Sequence, residues 1–496
     1  MIGSAKLRVR GVGRVFAVFA VMTLLATSPL RVRAAPAPRL APPTVHLPLI
    51  THSAGTTASR PKTADSRLPI SDFRLQPAVL QQPASASTDT AGQAAPQHFT
   101  LTADQRARAE AYAHDRYVSY FAGVGLALAI YLLFWLSRFG LALRNLARRA
   151  SCRLIVKCLV FVPPFVVAAA LLNLPLEYYS GYRIERQFDL STETLASWFA
   201  DWGKGLGLYV IASVIGVCVF YAVVRRSPRR WWLYFWCATI PLELFVILIE
   251  PWLVEPLFYK FTPLSETQPA FTRQVEATLH HAGLNIPPNR IFEMNASTKT
   301  RTLNAYVSGI GASKRVVVWD TTLRALSPDE TILVLGHETG HYVLHHIPKE
   351  FALIELVMLA LFYLGYRVLG VLIRRFGART GLEGLGDIAS LPLAMLVLTL
   401  LAFLGSPLFN AISRHYEHQA DQYGLEVAYS VVPDPNAAAA NAEQMLGVID
   451  LADPDPSPLI VFWLYTHPPV EDRIRFASSY HPWADGQPLK FVHITP

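Results

Sequence analysis

The chain has 496 residues, of which 52% are hydrophobic and only 16% are charged, a charge content that is low for a soluble protein. Its formal net charge of +8 is compatible with nucleic-acid binding, but no RNA- or DNA-binding motif accompanies the basic residues, so no nucleic-acid partner is expected. The four cysteines lack zinc-site spacing and imply no disulfide framework, so we expect them to be ordinary apolar residues.

The amino terminus carries a predicted export signal. Basic residues precede the short apolar stretch 15–26, and an acceptable cleavage site ends at Ala34. Residues 1–34 are therefore expected to be a secretory signal peptide, with an uncleaved membrane anchor as the alternative. Residues 35–98 are rich in Pro, Ala, Ser and Thr and have little apolar periodicity, which predicts a disordered exported linker.

Six apolar runs are long enough to cross a lipid bilayer. They cover residues 117–136, 154–172, 206–224, 231–249, 351–373 and 388–408. A buried core helix would explain any one of these runs but not all six, so we predict an integral, multi-pass membrane protein. Glu243 and Glu355 lie at membrane depth, and we expect them to face the bundle interior or a wet cavity and not lipid.

The arginines predict how the chain is oriented in the membrane. Much of the basic excess lies in three loops between spans, at 138–153, 225–230 and 374–379. The positive-inside rule places all three loops in the cytoplasm. The segment 251–349 and the tail after residue 408 would then be extracytoplasmic, in agreement with the export signal. The membrane would be the plasma membrane, or the inner membrane if the protein is bacterial.

A β-hairpin is predicted between the fourth and fifth spans. Residues 304–308 and 315–319 have the composition of strands, and the turn 309–313 joins them. An edge strand of this kind can pair with an extended peptide and align it through main-chain hydrogen bonds. A purely structural hairpin is the alternative.

The segment 337–341, His-Glu-Thr-Gly-His, carries the most specific chemical signal in the chain. A capping box at 327–330 predicts a helix that runs to about Ile347. On this helix His337 and His341 share one face and can both bind one zinc ion. Glu338 would then lie beside the water that fills the open coordination position and could act as its base.

A third ligand is needed, because a catalytic zinc of this kind takes two histidines and one carboxylate. Residues 413–421 follow the last span and are expected to be helical. Glu417 is the predicted third ligand, and Asp421, four residues later, is predicted to hold the outer nitrogen of a zinc-bound histidine. His345 and His346 allow a second metal site, but polar residues at a helix end are the simpler interpretation.

These segments resemble a known family, the integral-membrane zinc proteases of the CAAX prenyl protease type I group and their bacterial relatives. The resemblance covers about residues 99–480 and rests on four motifs in order. They are Asn-Ala-Tyr at 304–306, His-Glu-x-Gly-His at 337–341, Ser-Arg-x-x-Glu-x-x-Ala-Asp at 413–421, and His-Pro-Pro at 467–469 followed by Arg473.

The resemblance implies a zinc-dependent membrane endopeptidase that cleaves peptide or protein substrates. One zinc ion would be bound by His337, His341 and Glu417. His467 and Arg473 would stabilise the tetrahedral oxyanion, and Asn304 and Tyr306 would contact the substrate. These last four roles rest on the resemblance alone.

The implied fold is mostly α. A four-span membrane domain at 99–250 would precede a gluzincin-like zinc peptidase domain at 251–496, which would carry a small β-hairpin or sheet and the spans 351–373 and 388–408. Two other functions stay open, a catalytically silent membrane scaffold and a membrane transporter with incidental motifs. Eukaryotic members of the family have a cytosolic zinc domain, whereas the arginine pattern here predicts an extracytoplasmic one.

Overall fold

The computed structural model describes residues 96–309 and 314–492 of the chain. The predicted signal peptide or anchor at 1–34, almost all of the predicted linker at 35–98 and most of the predicted turn at 309–313 lie outside the described residues. Within the described part, long helices dominate and one small sheet accompanies them, which confirms the predicted fold class.

The amino-terminal half of the described chain is built of helices. The first helix is capped by Thr102, which forms a reciprocal capping box with Gln105. The third helix continues through Pro163 and Pro164. These helices are α1 (Ala103–Leu136), α2 (Phe139–Ala150), α3 (Leu154–Tyr178), α4 (Ile184–Gln187), α5 (Leu195–Arg226) and α6 (Trp231–Ile249).

The carboxyl-terminal half combines helices with the sheet. Its helices are α7 (Leu264–Thr267), α8 (Pro269–His281), α9 (Asp320–Ala325), α10 (Pro328–Val343), α11 (His346–Thr380), α12 (Leu391–Ala428), α13 (Pro435–Ile449), α14 (Pro458–Leu464) and α15 (Val470–Ser479). Its strands are β1 (Phe261–Pro263), β2 (Ile291–Met294), β3 (Ala305–Ser308) and β4 (Arg315–Trp319).

Six helical segments of the described chain are long and apolar enough to cross a bilayer. They are Ala103–Leu136, Leu154–Gln187, Leu195–Arg226, Trp231–Leu257, His346–Thr380 and Ile388–Ala428. Each contains one of the six predicted spans, so the predicted number and order are confirmed. Most of the helices extend beyond their apolar runs, because polar turns that lie outside hydrocarbon continue the same helix and leave no hydropathy signal.

The strands form a four-stranded sheet in the order β1-β2-β4-β3. The predicted hairpin is confirmed, since β3 pairs antiparallel with β4 and places Ala305 opposite Val318 and Val307 opposite Val316. These four side chains pack into the same core as α10. Because β3 has no second neighbour among the described strands, it forms the edge of the sheet.

The helix that carries the 337–341 segment ends earlier than predicted. It begins at the predicted capping box, but it stops at Val343 because His345 adopts a left-handed conformation, with φ of 54°. Helix α11 starts immediately afterwards at His346. Pro348 falls in its first turn, where the missing N–H has no intrahelical partner to lose.

Glu243 and Glu355 both lie inside the helical bundle. They are 2% and 5% exposed, which confirms that they face the protein interior. The indole Nε1 of Trp236 donates a hydrogen bond of 2.9 Å to the main-chain oxygen of Glu355 and so links α6 to α11.

Helices α10 and α12 approach each other closely at three glycines. A Cβ atom on Gly424 would lie 2.9 Å from the main-chain nitrogen of His337, and one on Gly336 would lie 3.1 Å from the main-chain oxygen of Gly424. A Cβ on Gly340 would lie 3.1 Å from the Tyr423 side chain. The two backbones can therefore touch only because these positions lack side chains.

We expect Gly424→Ala to lower the free energy of unfolding by about 1–3 kcal/mol, because the new methyl group meets backbone that cannot move aside. Thermal unfolding of the detergent-solubilised protein measures this change. Gly203→Ala on α5 is the matched control, since nothing lies within 4 Å of its Cβ position, and it should be neutral or slightly stabilising. Equal stability of the two variants would show that the contact is loose.

Candidate metal centre

Helices α10 and α12 bring the three predicted ligands together. The Nε2 atoms of His337 and His341 are 3.3 Å apart, and Glu417 Oε2 lies 3.2 Å from the first and 3.6 Å from the second. The three donor atoms all fall within 4.8 Å of one another. Two imidazole nitrogens and one carboxylate oxygen form a donor set that suits zinc, so the residues fit a metal ion.

His337 is oriented by a chain of buried charges. Its Nδ1 donates a hydrogen bond of 2.7 Å to Asp421 Oδ1, as predicted for Asp421, and this leaves Nε2 facing the other ligands. Burial lowers the pKa of His337, but the contacts with Asp421 and Glu417 outweigh burial and raise it to about 9. A metal ion must therefore compete with a proton at Nε2.

Arg473 contacts Asp421 and Glu443, and its Nη2 also lies 3.4 Å from His337 Nδ1. Its Nε donates to Asp421 Oδ2 at 3.0 Å, its Nη2 donates to Asp421 Oδ1, and its Nη1 lies 2.8 Å from Glu443 Oε2. Burial acts to lower the pKa of the guanidinium, but these two carboxylates outweigh burial and hold it above its usual value. The predicted contact of Arg473 with an oxyanion stays a prediction.

His341 is oriented by a chain of side chains that contains no carboxylate. Its Nδ1 lies 3.4 Å from Nδ1 of His346, whose Nε2 lies 3.1 Å from Oε1 of Gln419. The Gln419 amide nitrogen in turn lies 3.0 Å from His415 Nε2. If His341 binds a metal through Nε2, its Nδ1–H donates to His346, which then donates to Gln419. These hydrogen bonds then determine which ring nitrogen carries the proton, namely Nδ1 in His341 and Nε2 in His346.

His467 reaches the ligand group from the loop before α15. Its Nε2 lies 3.0 Å from Glu417 Oε2, and its Nδ1 lies 2.9 Å from the Thr466 hydroxyl. Burial lowers the pKa of His467 to about 4, although Glu417 acts to raise it, so the imidazole is neutral near pH 7. Of the two residues predicted to stabilise an oxyanion, His467 is the one beside the ligand atoms.

Glu338, the predicted base, is buried next to His337. Its Oε1 lies 3.9 Å from His337 Nε2, on the side of the imidazole that faces the ligand group. The helix therefore places a carboxylate beside the metal ligands without making it one of the three clustered donors.

The two residues predicted to bind substrate have different surroundings. The Tyr306 hydroxyl is buried and donates a hydrogen bond of 3.0 Å to Glu255 Oε2. Asn304 is also buried, but neither its Oδ1 nor its Nδ2 has a hydrogen-bond partner among the described residues. The Asn304 amide is thus a buried polar group without a partner among the described residues, and its contact with substrate stays a prediction. The edge strand also lies close to α10, because the Tyr342 hydroxyl donates to Gly309 O at 3.0 Å.

Sequence reasoning missed several of these residues. His346 was expected to be a polar residue at a helix end, whereas it is fully buried against Tyr416. No motif in the sequence indicates a role for Glu443, because it is a single acid in the alanine-rich helix α13. Its one sequence signal is its position on the face of α13 that also buries Ala440 and Gly447.

Comparisons with known proteins identify the family to which the chain belongs. The model of the family described as "Peptidase family M48" matches residues 265–481, and the model described as "CAAX prenyl protease N-terminal, five membrane helices" matches residues 88–260. The uncharacterized metalloprotease YhfN of Bacillus subtilis is 34% identical over 391 residues, which cover 78% of this chain and 88% of that protein.

More distant relatives extend the comparison. A CAAX prenyl protease 1 homolog from Oryza sativa subsp. japonica is 28% identical and aligns with 64% of this chain and 73% of its own length. The crystal structure of S. mikatae Ste24p superposes with a TM-score of 0.63 at 23% identity, over 75% of this chain and 88% of that one. This structural likeness shows that the fold is shared.

His346→Asn should lower the affinity for Zn²⁺ by about 10- to 100-fold, because the shorter side chain cannot bridge His341 and Gln419. Competition with a chromophoric chelator measures the affinity. His345→Asn is the matched control, since the neighbouring histidine is exposed and asparagine tolerates its left-handed backbone. If both variants bound Zn²⁺ as tightly as the unmodified protein, His346 would have no part in holding His341.

Proposed function

Because this chain belongs to the M48 family of membrane metallopeptidases, we propose that it is an endopeptidase that uses one zinc ion held by His337, His341 and Glu417. The observation that carries this proposal is the convergence of three donor atoms from two separate helices within 4.8 Å. When bound, zinc supplies Lewis acidity, which polarises the scissile carbonyl and makes water a stronger acid.

The side chains around the ligands provide the remaining chemistry. Glu338 accepts the proton of the attacking water and later delivers it to the leaving amine. His467, neutral and beside Glu417, offers an N–H toward the oxyanion that develops on the carbonyl. Arg473 is bound to Asp421 and Glu443, so we propose that it positions Asp421 against His337 and contributes through that contact.

The substrate would be an extended peptide paired with the edge strand β3. Main-chain hydrogen bonds to this strand would align the peptide beside α10, and Asn304, the residue before β3, remains the predicted side-chain contact with substrate. Several relatives are named CAAX prenyl protease 1, which makes carboxyl-terminal CAAX peptides one substrate class to test. Tyr306 would act mainly by fixing the strand through Glu255.

A catalytically silent scaffold is the alternative that these residues argue against. A scaffold would be free to lose a ligand or the base, yet His337, Glu338, His341 and Glu417 are all present in the group. The transporter alternative has no support from the family, whose members are peptidases.

Glu338→Gln should retain the bound metal and lose at least about 100-fold in turnover, because the amide keeps the shape of the side chain but cannot accept a proton. The measurements are metal content by elemental analysis and cleavage of a quenched fluorescent peptide by the purified protein. Chelator treatment followed by zinc addition should abolish and restore cleavage. Undiminished cleavage by the Glu338→Gln variant would overturn the proposal.

The metal centre is proposed to be extracytoplasmic. Helix α11 begins beside His341 and ends in one of the arginine-rich loops, so the centre and that loop lie at opposite ends of a membrane helix. The positive-inside rule then assigns the centre to the exterior.

Alkaline phosphatase fusions test this orientation, because the enzyme is active only after export. A fusion at residue 300 should be active and a fusion at residue 145 inactive. The reverse pattern would place the metal centre in the cytoplasm.

A further inference from the structure

One end of the membrane bundle carries a dense group of exposed arginines, called here the basic end. Its members come from the loop after α1, the end of α2 and the residues that follow it, the end of α5 and the α5–α6 connection, and the end of α11. They are Arg138, Arg149, Arg153, Arg225, Arg226, Arg229, Arg230, Arg374, Arg375 and Arg379.

Contacts between the loops join these residues into one surface. Arg144 of α2 donates to Gly381 O at 3.2 Å and to the buried carboxylate of Asp387 at 2.6 Å. Arg225 donates through Nε to Gly386 O at 3.0 Å. The segment 381–387 thus binds both α2 and the end of α5, so the basic residues of three loops lie around it.

The basic end lacks the acidic residues needed to balance its charge. Its three loops contain two carboxylates, Asp387 and Glu383, and these already bind Arg144 and Arg148. Among the described residues, no carboxylate lies within ion-pair distance of the ten arginines of the basic end.

Arginines elsewhere in the chain are commonly paired. Toward the metal centre, Arg116 pairs with Glu185, Arg301 with Asp189, Arg315 with Glu255, Arg324 with Asp320, and Arg473 with Asp421. Arginines without an ion pair also occur elsewhere among the described residues, for example Arg108 and Arg273, but the basic end gathers ten of them on one surface. Ten guanidinium groups of like charge repel one another, and an external anion would relieve that repulsion.

The neighbouring residues indicate what kind of anion fits. Leu146, Ile155 and Phe376 are exposed beside the arginines, at 53%, 66% and 36%. Nine of these arginines lie near an end of a membrane helix, where lipid headgroups meet the aqueous phase, and Arg149 lies on α2, which connects two such helices. A ligand with a phosphate next to acyl chains matches this combination of charged and apolar groups, and the planar guanidinium can bind two phosphate oxygens.

We propose that the basic end is a binding surface for anionic phospholipids, whose headgroup phosphates the unpaired arginines hold. This surface lies at the opposite end of α11 from the metal centre, and the proposal does not depend on the identity of the metal or on the reaction. Anionic lipid bound there would stabilise the packing of α2 and α5 against the segment 381–387.

The test measures the thermal unfolding midpoint of the purified full chain in neutral detergent with added lipid. Phosphatidylglycerol should raise the midpoint by at least about 3 °C more than phosphatidylcholine, and added salt should reduce this difference. Inorganic phosphate at the same concentration should cause no such rise, which separates a lipid headgroup from a free anion. Equal effects of the two lipids would overturn the proposal and leave the arginines with a role in membrane topology alone.

Two variants locate the effect. The quadruple variant R225Q/R226Q/R229Q/R230Q should lose most of the response to phosphatidylglycerol. The matched control R106Q/R273Q/R301Q/R475Q removes four exposed arginines outside the basic end and should respond like the unmodified protein. Equal responses of these two variants would contradict the proposed location.

A lysine variant provides the test if the glutamine variant R225Q/R226Q/R229Q/R230Q does not insert into the membrane. R225K/R226K/R229K/R230K keeps the positive charge and therefore the topology, but it cannot bind phosphate through a planar fork. It should retain a smaller, salt-sensitive response to phosphatidylglycerol. A complete absence of response in this variant, together with a normal response in the unmodified protein, would still locate the binding surface at these four positions.

Discussion

The close contact between α10 and α12 determines where every part of the metal centre lies. Gly424 lies against the backbone of His337, and Gly340 lies against Tyr423, so the two helices cannot slide without a collision. Asp421 and Glu417 are then about one and two turns from Gly424, on the face of α12 that meets the histidines. The ligand geometry is thus set by helix packing at small residues and not by a flexible loop.

The two histidines are held in different ways, and this difference shapes the electrostatics of the centre. His337 depends on Asp421 and Arg473, whereas His341 depends on neutral groups that begin with His346. A carboxylate partner increases the basicity of an imidazole ligand more than a neutral partner does. The negative charge around the centre therefore lies on the side where helices α12, α13 and α15 meet.

The buried charges also explain why a divalent cation suits this position. Glu338, Glu417, Asp421 and Glu443 supply four carboxylates around a single guanidinium, that of Arg473. Burying carboxylates in such excess is unfavourable unless further positive charge is present, and in the metal-free protein the proton on His337 supplies only part of it. A divalent ion between His337, His341 and Glu417 would offset most of this excess negative charge. The acids that destabilise the metal-free folded protein therefore favour metal binding.

The sequence predicted the features that depend on local pattern and missed those that depend on tertiary approach. Hydropathy located the six spans, and the four-residue spacing of Glu417 and Asp421 placed both on one helical face. The predicted end of α10 was wrong, because no local sequence pattern predicts the left-handed backbone of His345. The burial of His346 and the attachment of Arg473 to Glu443 depend on where α11, α13 and α15 pack, which a single sequence does not encode in any motif.

The membrane helices place the centre close to the bilayer. The apolar run of α12 ends near residue 408, and Glu417 follows nine residues later, which at 1.5 Å per residue is about 14 Å along the helix. His346 precedes the apolar run of α11 by only five residues, or about 8 Å. Two rigid helices therefore hold the candidate metal centre within about three helical turns of both apolar runs.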